Sequence, residues 1–119
     1  MIELKLTFST SVMRELCGYE ANITPDLLTR TITNLIDEEG SGLRGIKQPF
    51  NVVQLITNKI GNSTAILVAT DEAVSEIRQT PESLPAYVQD VLDEGYSTQS
   101  SHGRNAPKDW IKVEAYTPS

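Results

Sequence analysis

Two loops carry the side chains best suited to chemistry. Ser41-x-x-Arg44 lies in GSGLRGIKQP, residues 40–49, and Ser101-x-x-Arg104 lies in YSTQSSHGRNAPK, residues 96–108. A guanidinium set among hydroxyls and glycine-freed backbone amides suits an anionic group such as a phosphate. Ser41, Arg44, Lys47, Ser101, His102 and Arg104 are therefore the candidate ligand-binding residues. The spacing is neither a Walker loop nor a dinucleotide fingerprint, because no Gly-Lys-Ser/Thr follows and the glycines come after a helix. The plainer account of those glycines is that they end a helix and turn the chain. His102 is the sole histidine, and serine neighbours without an orienting carboxylate do not make a triad. Its counterpart in the first loop is Gly42, so the loops would share no acid–base mechanism. No catalytic residue is assigned, no metal-ligand spacing is present and no cofactor is implied.

The second constellation is acidic: Asp37, Glu38 and Glu39, then Asp93 and Glu94, each group closing an amphipathic segment. Negative charge at a helix C-terminus opposes the macrodipole, at about 0.3–1 kcal/mol per exposed group. Either these acids pair with Arg44, Lys47, Arg104 or Lys108 in the loops that follow, or they are solvated, or they are displayed to a basic partner or, least favoured, a metal. These five are the candidate partner-surface residues.

The elements that must position both sets are legible from periodicity. IELKLTF alternates strictly and reads as a strand. Ser9 or Thr10 caps a short helix that stops at Gly18. Thr24-Pro25-Asp26 opens a longer helix whose apolar stripe is Leu28, Ile32, Leu35 and Ile36, ending at Gly40. Phe50 to Thr70 reads as a buried central hairpin about a two-residue Gly61-Asn62 turn, setting Ile60 against Ser63, Ile56 against Leu67 and Leu55 against Val68. Thr70 caps a short helix. Thr80-Pro81-Glu82 opens another with Leu84, Val88, Val91 and Leu92 inward, ending at Gly95; Pro85 delays or kinks its start. Trp110 to Tyr116 reads as the last strand.

The halves match. TPDLL at Thr24 answers TPESL at Thr80, the two stripes answer each other, both run into Asp-Glu, and each Ser-x-x-Arg precedes an aromatic, Phe50 or Trp110. The expectation is one domain, residues 1–119, built as tandem βααβ units over roughly 1–60 and 61–119. Paired strands within each unit should be antiparallel. The fold class is then α+β: a four-stranded, mostly antiparallel sheet with helices packed on it and a pseudo-two-fold near Gly61.

Composition bounds the function. The 119 residues are 39% hydrophobic and 22% charged, with net charge −6, which is ordinary globular material without the basic footprint of nucleic-acid binding. Cys17 is alone, so no internal disulfide or cysteine metal cluster forms, and core or neutral surface is its expected place. No apolar run has the length of a bilayer span and MIELKLTF lacks a signal-peptide block, so a cytoplasmic protein is expected. Two function classes follow. One is a non-enzymatic interaction or regulatory protein, an inhibitor for example, with a protein partner. The other is a binder, or modest phosphoester enzyme, holding an anionic nucleotide-like ligand between the two Ser-x-x-Arg loops. Absent catalytic motifs and the acidic balance favour the first. A homo-oligomer is open to it if an outer strand is left unpaired.

Overall fold

Period-two alternation builds the first strand, β1 (Ile2–Ser9), with Leu4, Leu6 and Phe8 fully buried and Glu3, Lys5 and Thr7 on the other face. The computed structural model describes residues 1–18, 22–38, 43–99, 107 and 109–116. After β1 come α1 (Thr10–Cys17), α2 (Pro25–Glu38), a 3-10 turn (Leu43–Gly45), β2 (Phe50–Ile56), β3 (Asn62–Ala69), α3 (Asp71–Glu76), α4 (Leu84–Gln99) and β4 (Ile111–Ala115). The strands form one antiparallel sheet in the order β2-β3-β1-β4, so the class is α+β as the sequence suggests.

The strands of one half are not neighbours. β3 separates β1 from β2, and β1 separates β3 from β4. Since every pairing is antiparallel, β1 and β2 run parallel, as do β3 and β4. Helix length explains why antiparallel pairing within a unit fails. α1 has 8 residues, about 12 Å, too short to return along the ~26 Å of β1. Only α2, with 14 residues and about 21 Å, makes a full return. One return, not two, leaves the flanking strands parallel. This is the split βαβ, ferredoxin-like connectivity, with a helix pair in each crossover.

The hairpin forms, but with a longer connection and a different register. Residues 57–61 join the strands, Asn62 already pairs with Ser9, and Ile56, Leu55 and Gln54 face Thr64, Ala65 and Ile66. Asn58 holds the wider loop: its backbone N–H donates to Ser63 Oγ at 3.0 Å and its side chain donates to Asn62 O at 2.7 Å. Of the hairpin's two strands, β3 alone is interior. β2 is an edge strand with a register shift between Val52 and Gln54, which leaves Val53 57% and Ile56 55% exposed.

Both Thr-Pro starts work as caps. Thr24 Oγ1 accepts from Leu27 N–H at 3.1 Å, and Thr80 Oγ1 accepts from Ser83 N–H at 3.2 Å. Residues 81–83 form a turn and α4 begins at Leu84, later than the Thr-Pro signal, in keeping with the missing amide of Pro85. Both stripes, Leu28, Ile32, Leu35, Ile36 and Leu84, Val88, Val91, Leu92, enter one core with Leu4, Leu6, Phe8, Leu67 and Ile111. Each fully buried side chain of this kind contributes about 1.5–3 kcal/mol.

Gly95 does not end its helix. α4 passes through it to Gln99, and a Cβ there would stand 2.5 Å from Leu35 Cδ2 on α2. Glycine is what lets these two helices approach. Gly95→Ala should therefore lower stability by about 1 kcal/mol, overpacking of about 1–3 kcal/mol outweighing up to about 1 kcal/mol of helix propensity. Urea denaturation reads it, and the loss should shrink in a Leu35→Val background; a raised midpoint for Gly95→Ala alone would contradict the packing account.

Candidate functional site on the open face of the sheet

Ser41, Ser101, His102 and Arg104 lie outside the described residues, as does Glu39 among the acids. Arg44 falls in the 3-10 turn, which buried Leu43 anchors and which Ile46 N–H closes onto Leu43 O at 3.0 Å. Lys47 follows as an exposed residue.

The acids divide between two settings. Asp37 is half-buried in the last turn of α2, and Glu38 is its final residue. Asp93 and Glu94 sit well inside α4, so the macrodipole argument does not reach them. Asp93 Oδ1 accepts the indole Nε1–H of buried Trp110 at 2.6 Å, tying α4 to the residue before β4. One turn on, Tyr96 donates its hydroxyl to Glu15 Oε2 at 2.6 Å, and its ring lies 6.0 Å from that of Trp110. The geometry gives Asp93 an internal task.

Cys17 is half-buried at the end of α1 and accepts a 3.4 Å hydrogen bond from Thr31 Oγ1. Burial pushes its thiol pKa up, and the Thr31 bond offsets this in part. A thiol held protonated is a poor nucleophile.

What the helices leave uncovered is the second face of the sheet. Glu3, Lys5 and Thr7 of β1, Thr64, Ile66 and Val68 of β3, Gln54 and Ile56 of β2, and Lys112 and Glu114 of β4 share it by register. Over β2, β3 and β1 lies a shallow depression of about 170 Å³, lined by Lys5, Gln54, Ile56, Thr64, Ile66 and Tyr116. Ile66 is 7% exposed yet stands outside the core cluster, since its neighbours across the face shield it. The stems of Lys5 and Gln54 are suited to that cover. Sequence reasoning missed this face because it took the hairpin as buried on both sides. The signal was the unpunctuated apolar run itself, which gives β2 and β3 aliphatic residues on a side with no described helix.

The sheet edges are different. Gln89 on α4 donates Nε2–H to Ile111 O at 2.6 Å and accepts from Val113 N–H at 3.0 Å, on the outer side of β4. Thr29 on α2 accepts from Val52 N–H at 2.9 Å on the outer side of β2. For pairing with a second copy through an outer strand, β1 is interior and β4 has these outward groups occupied.

Among the described residues, no group of three or more His, Cys, Asp and Glu is placed to hold a metal ion, and no helix is long and apolar enough to cross a membrane. Comparison with known proteins finds no matching family model, no matching curated protein and no matching solved structure.

Asp93→Ala should cost about 1–3 kcal/mol, the penalty for a buried indole N–H left without an acceptor, and Asp93→Asn should cost less; thermal denaturation distinguishes them. Cys17 should react with iodoacetamide more slowly than a free thiol at pH 8 and speed up in urea. Because its folded pKa is raised, its share of stability is intact below the ordinary thiol value of about 8.5 and is lost as pH rises through the folded pKa. A denaturant midpoint rising over that alkaline range in wild type, relative to Cys17→Ala, would contradict this.

Proposed function

We propose that this protein is a small non-enzymatic interaction protein that takes a protein partner on the open face of its sheet. The carrying observation is the aliphatic strip of Ile56, Ile66 and Val68, with exposed Val53 at the adjoining bulge of β2, on a face that no described helix covers. Exposed aliphatic groups beside a shallow depression mark contact surfaces on small domains. Around the strip, Glu3, Lys5, Lys112 and Glu114 supply charges of both signs, which favour a polar-rimmed protein surface over a uniformly charged polymer. Sheet faces that bind single-stranded RNA use several stacked aromatics in a basic field. Here the net charge is −6, and Tyr116 is the aromatic lining the depression. Occupying a partner's surface is also how such a protein regulates or inhibits. A cytoplasmic setting fits the lone, half-buried Cys17.

We also read the two halves as related units. Exchanging β1 with β3 and β2 with β4 leaves the strand order unchanged. Ser9 N–H donates to Trp110 O at 2.7 Å and Thr70 N–H donates to Pro49 O at 3.0 Å, both donors and both acceptors standing 61 residues apart. Phe8 pairs with Ile111 as Ala69 pairs with Phe50, at the same separation.

Ile56→Asp and Val53→Asp change exposed positions and should leave the circular dichroism spectrum and melting temperature near wild type. Each should weaken capture of the partner from source-cell lysate at least tenfold, read by quantitative mass spectrometry, while Lys47→Gln keeps it. Light scattering tells whether the partner is a second copy. Undiminished capture by both Asp variants, or a monomer that captures nothing, would end this reading.

A further inference from the structure

The open face sorts its residues by row. Gln54, Ile66, Lys5 and Glu114 lie side by side across β2, β3, β1 and β4. Two residues along the strands, Asn51, Val68 and Glu3 make the next row. Tyr116, whose N–H donates to Glu3 O at 3.0 Å, completes that row on the β4 side. Such rows are about 6.6 Å apart, two strand residues. Val53, 57% exposed, stands at the bulge of β2 between them. In both rows the β2 and β3 positions are uncharged, while the β1 position is Lys5 in one and Glu3 in the other.

A pattern of this kind is complementary to itself. Two copies stacked face to face, about a two-fold axis crossing the strands between the rows, lay each row on the other row of the partner. Lys5 then meets the partner's Glu3, and Ile66 meets the partner's Val68. Gln54 meets the partner's Asn51, and Glu114 meets the hydroxyl of the partner's Tyr116. Symmetry makes each contact twice, and Val53, close to the axis, approaches its own counterpart. Sheets packed in this way stand about 10 Å apart with strands within about 30° of alignment, a gap that Lys and Glu side chains span. The charge balance favours the same partner. The chain carries −6, yet register places two acids, Glu3 and Glu114, and two bases, Lys5 and Lys112, on this face. A balanced face offers little to a partner of one charge and pairs fully with a copy of itself.

Resting on the reading of the open face as the partner surface, we propose that the partner is a second copy of this chain. The two are held face to face as a two-fold dimer in which Lys5 pairs with the partner's Glu3. Size sets the strength. Four strands, the inner two of 8 residues, give each copy a footprint of about 19 Å by 26 Å, or about 500 Å². The pair then buries about 1,000 Å² before side-chain relief is counted, the lower limit for a specific contact, so the dimer is of micromolar strength. Strand addition at the edges is hindered, since Gln89 occupies outward groups of Ile111 and Val113 and Thr29 occupies that of Val52.

Sedimentation equilibrium of the full chain tests this. Wild type should pass from monomer to dimer across the micromolar range. Lys5→Glu and Glu3→Lys should each weaken the dimer about tenfold, since like charges then meet at both symmetric pairs. An equimolar mixture of the two variants should restore it as a heterodimer, which also shows that both are folded. Each reversal changes the charge by two, so −6 becomes −8 for Lys5→Glu and −4 for Glu3→Lys. Overall repulsion alone therefore predicts a tighter dimer for Glu3→Lys, the opposite of the expected result. Val53→Asp should weaken the dimer as well. A dimer untouched by both reversals, or a mixture no tighter than either variant alone, would overturn the proposal. So would a wild type that stays monomeric at millimolar concentration. In that case the partner-surface reading survives if Ile56→Asp still lowers capture of a different protein, and it fails with this one if capture is undiminished.

Discussion

The ladder between β1 and β3 is the constraint on which the other elements depend. Eight residue pairs, from Ile2 against Ala69 to Ser9 against Asn62, join the first strand of one half to the first strand of the other. A one-residue slip would turn Leu4, Leu6 and Phe8 from the core to the open face and carry Lys5 inward, so the apolar period fixes the register firmly. Once these two strands are paired, each crossover must travel past the other half's strand before its own second strand finds a neighbour. β2 then completes one edge and β4 the other, and the helices are drawn onto the single apolar face. The interleaving makes the halves interdependent: neither βααβ segment contains a pair of adjacent strands.

That arrangement gives the sheet two unlike boundaries. Its edges are managed by side chains reaching out from the covering helices, Gln89 to both Ile111 and Val113 and Thr29 to Val52. A side-chain amide or hydroxyl that occupies outward backbone groups removes the template another strand would use. Among the described residues, the open face has no comparable cover. Ile66 is shielded by its own neighbours, while Val53 and Ile56 remain more than half exposed. The helical side is fastened as closely as the edges. Gly95 lets α4 pass Leu35, Trp110 is bonded to Asp93, and Tyr96 is bonded to Glu15 on α1. Three of the four exposed large hydrophobic residues among those described, Val53, Ile56 and Ile60, belong to β2 or the connection after it.

The comparison between sequence and structure turns on range. Signals confined to a few residues read correctly: alternation in IELKLTF, the Thr24 and Thr80 caps, Gly18 after α1, and the two stripes that fill the core. Readings that needed a partner elsewhere went astray. Gly95 reads as a stop in isolation and proves to be a close approach to Leu35, sixty residues earlier. The Gly61-Asn62 turn reads as a tight hairpin, but Ser63 is held by Thr10, 53 residues away, and the connection widens to 57–61. The open-face depression was invisible for the same reason. It gathers residues from several segments, such as Lys5, Ile66 and Tyr116.

By itself, then, the sequence determined the element types, their order, the inward faces of β1 and the two longer helices, and the α+β class, because propensity, capping and hydrophobic period act within a turn or a strand. Tertiary structure alone decided that β1 is interior and β2 an edge, that strands of one half run parallel across an inserted strand, and which polar groups meet. Those outcomes depend on helix length against strand length and on contacts between residues tens of positions apart. No local pattern encodes them, and it is at such a junction that the proposed partner surface lies.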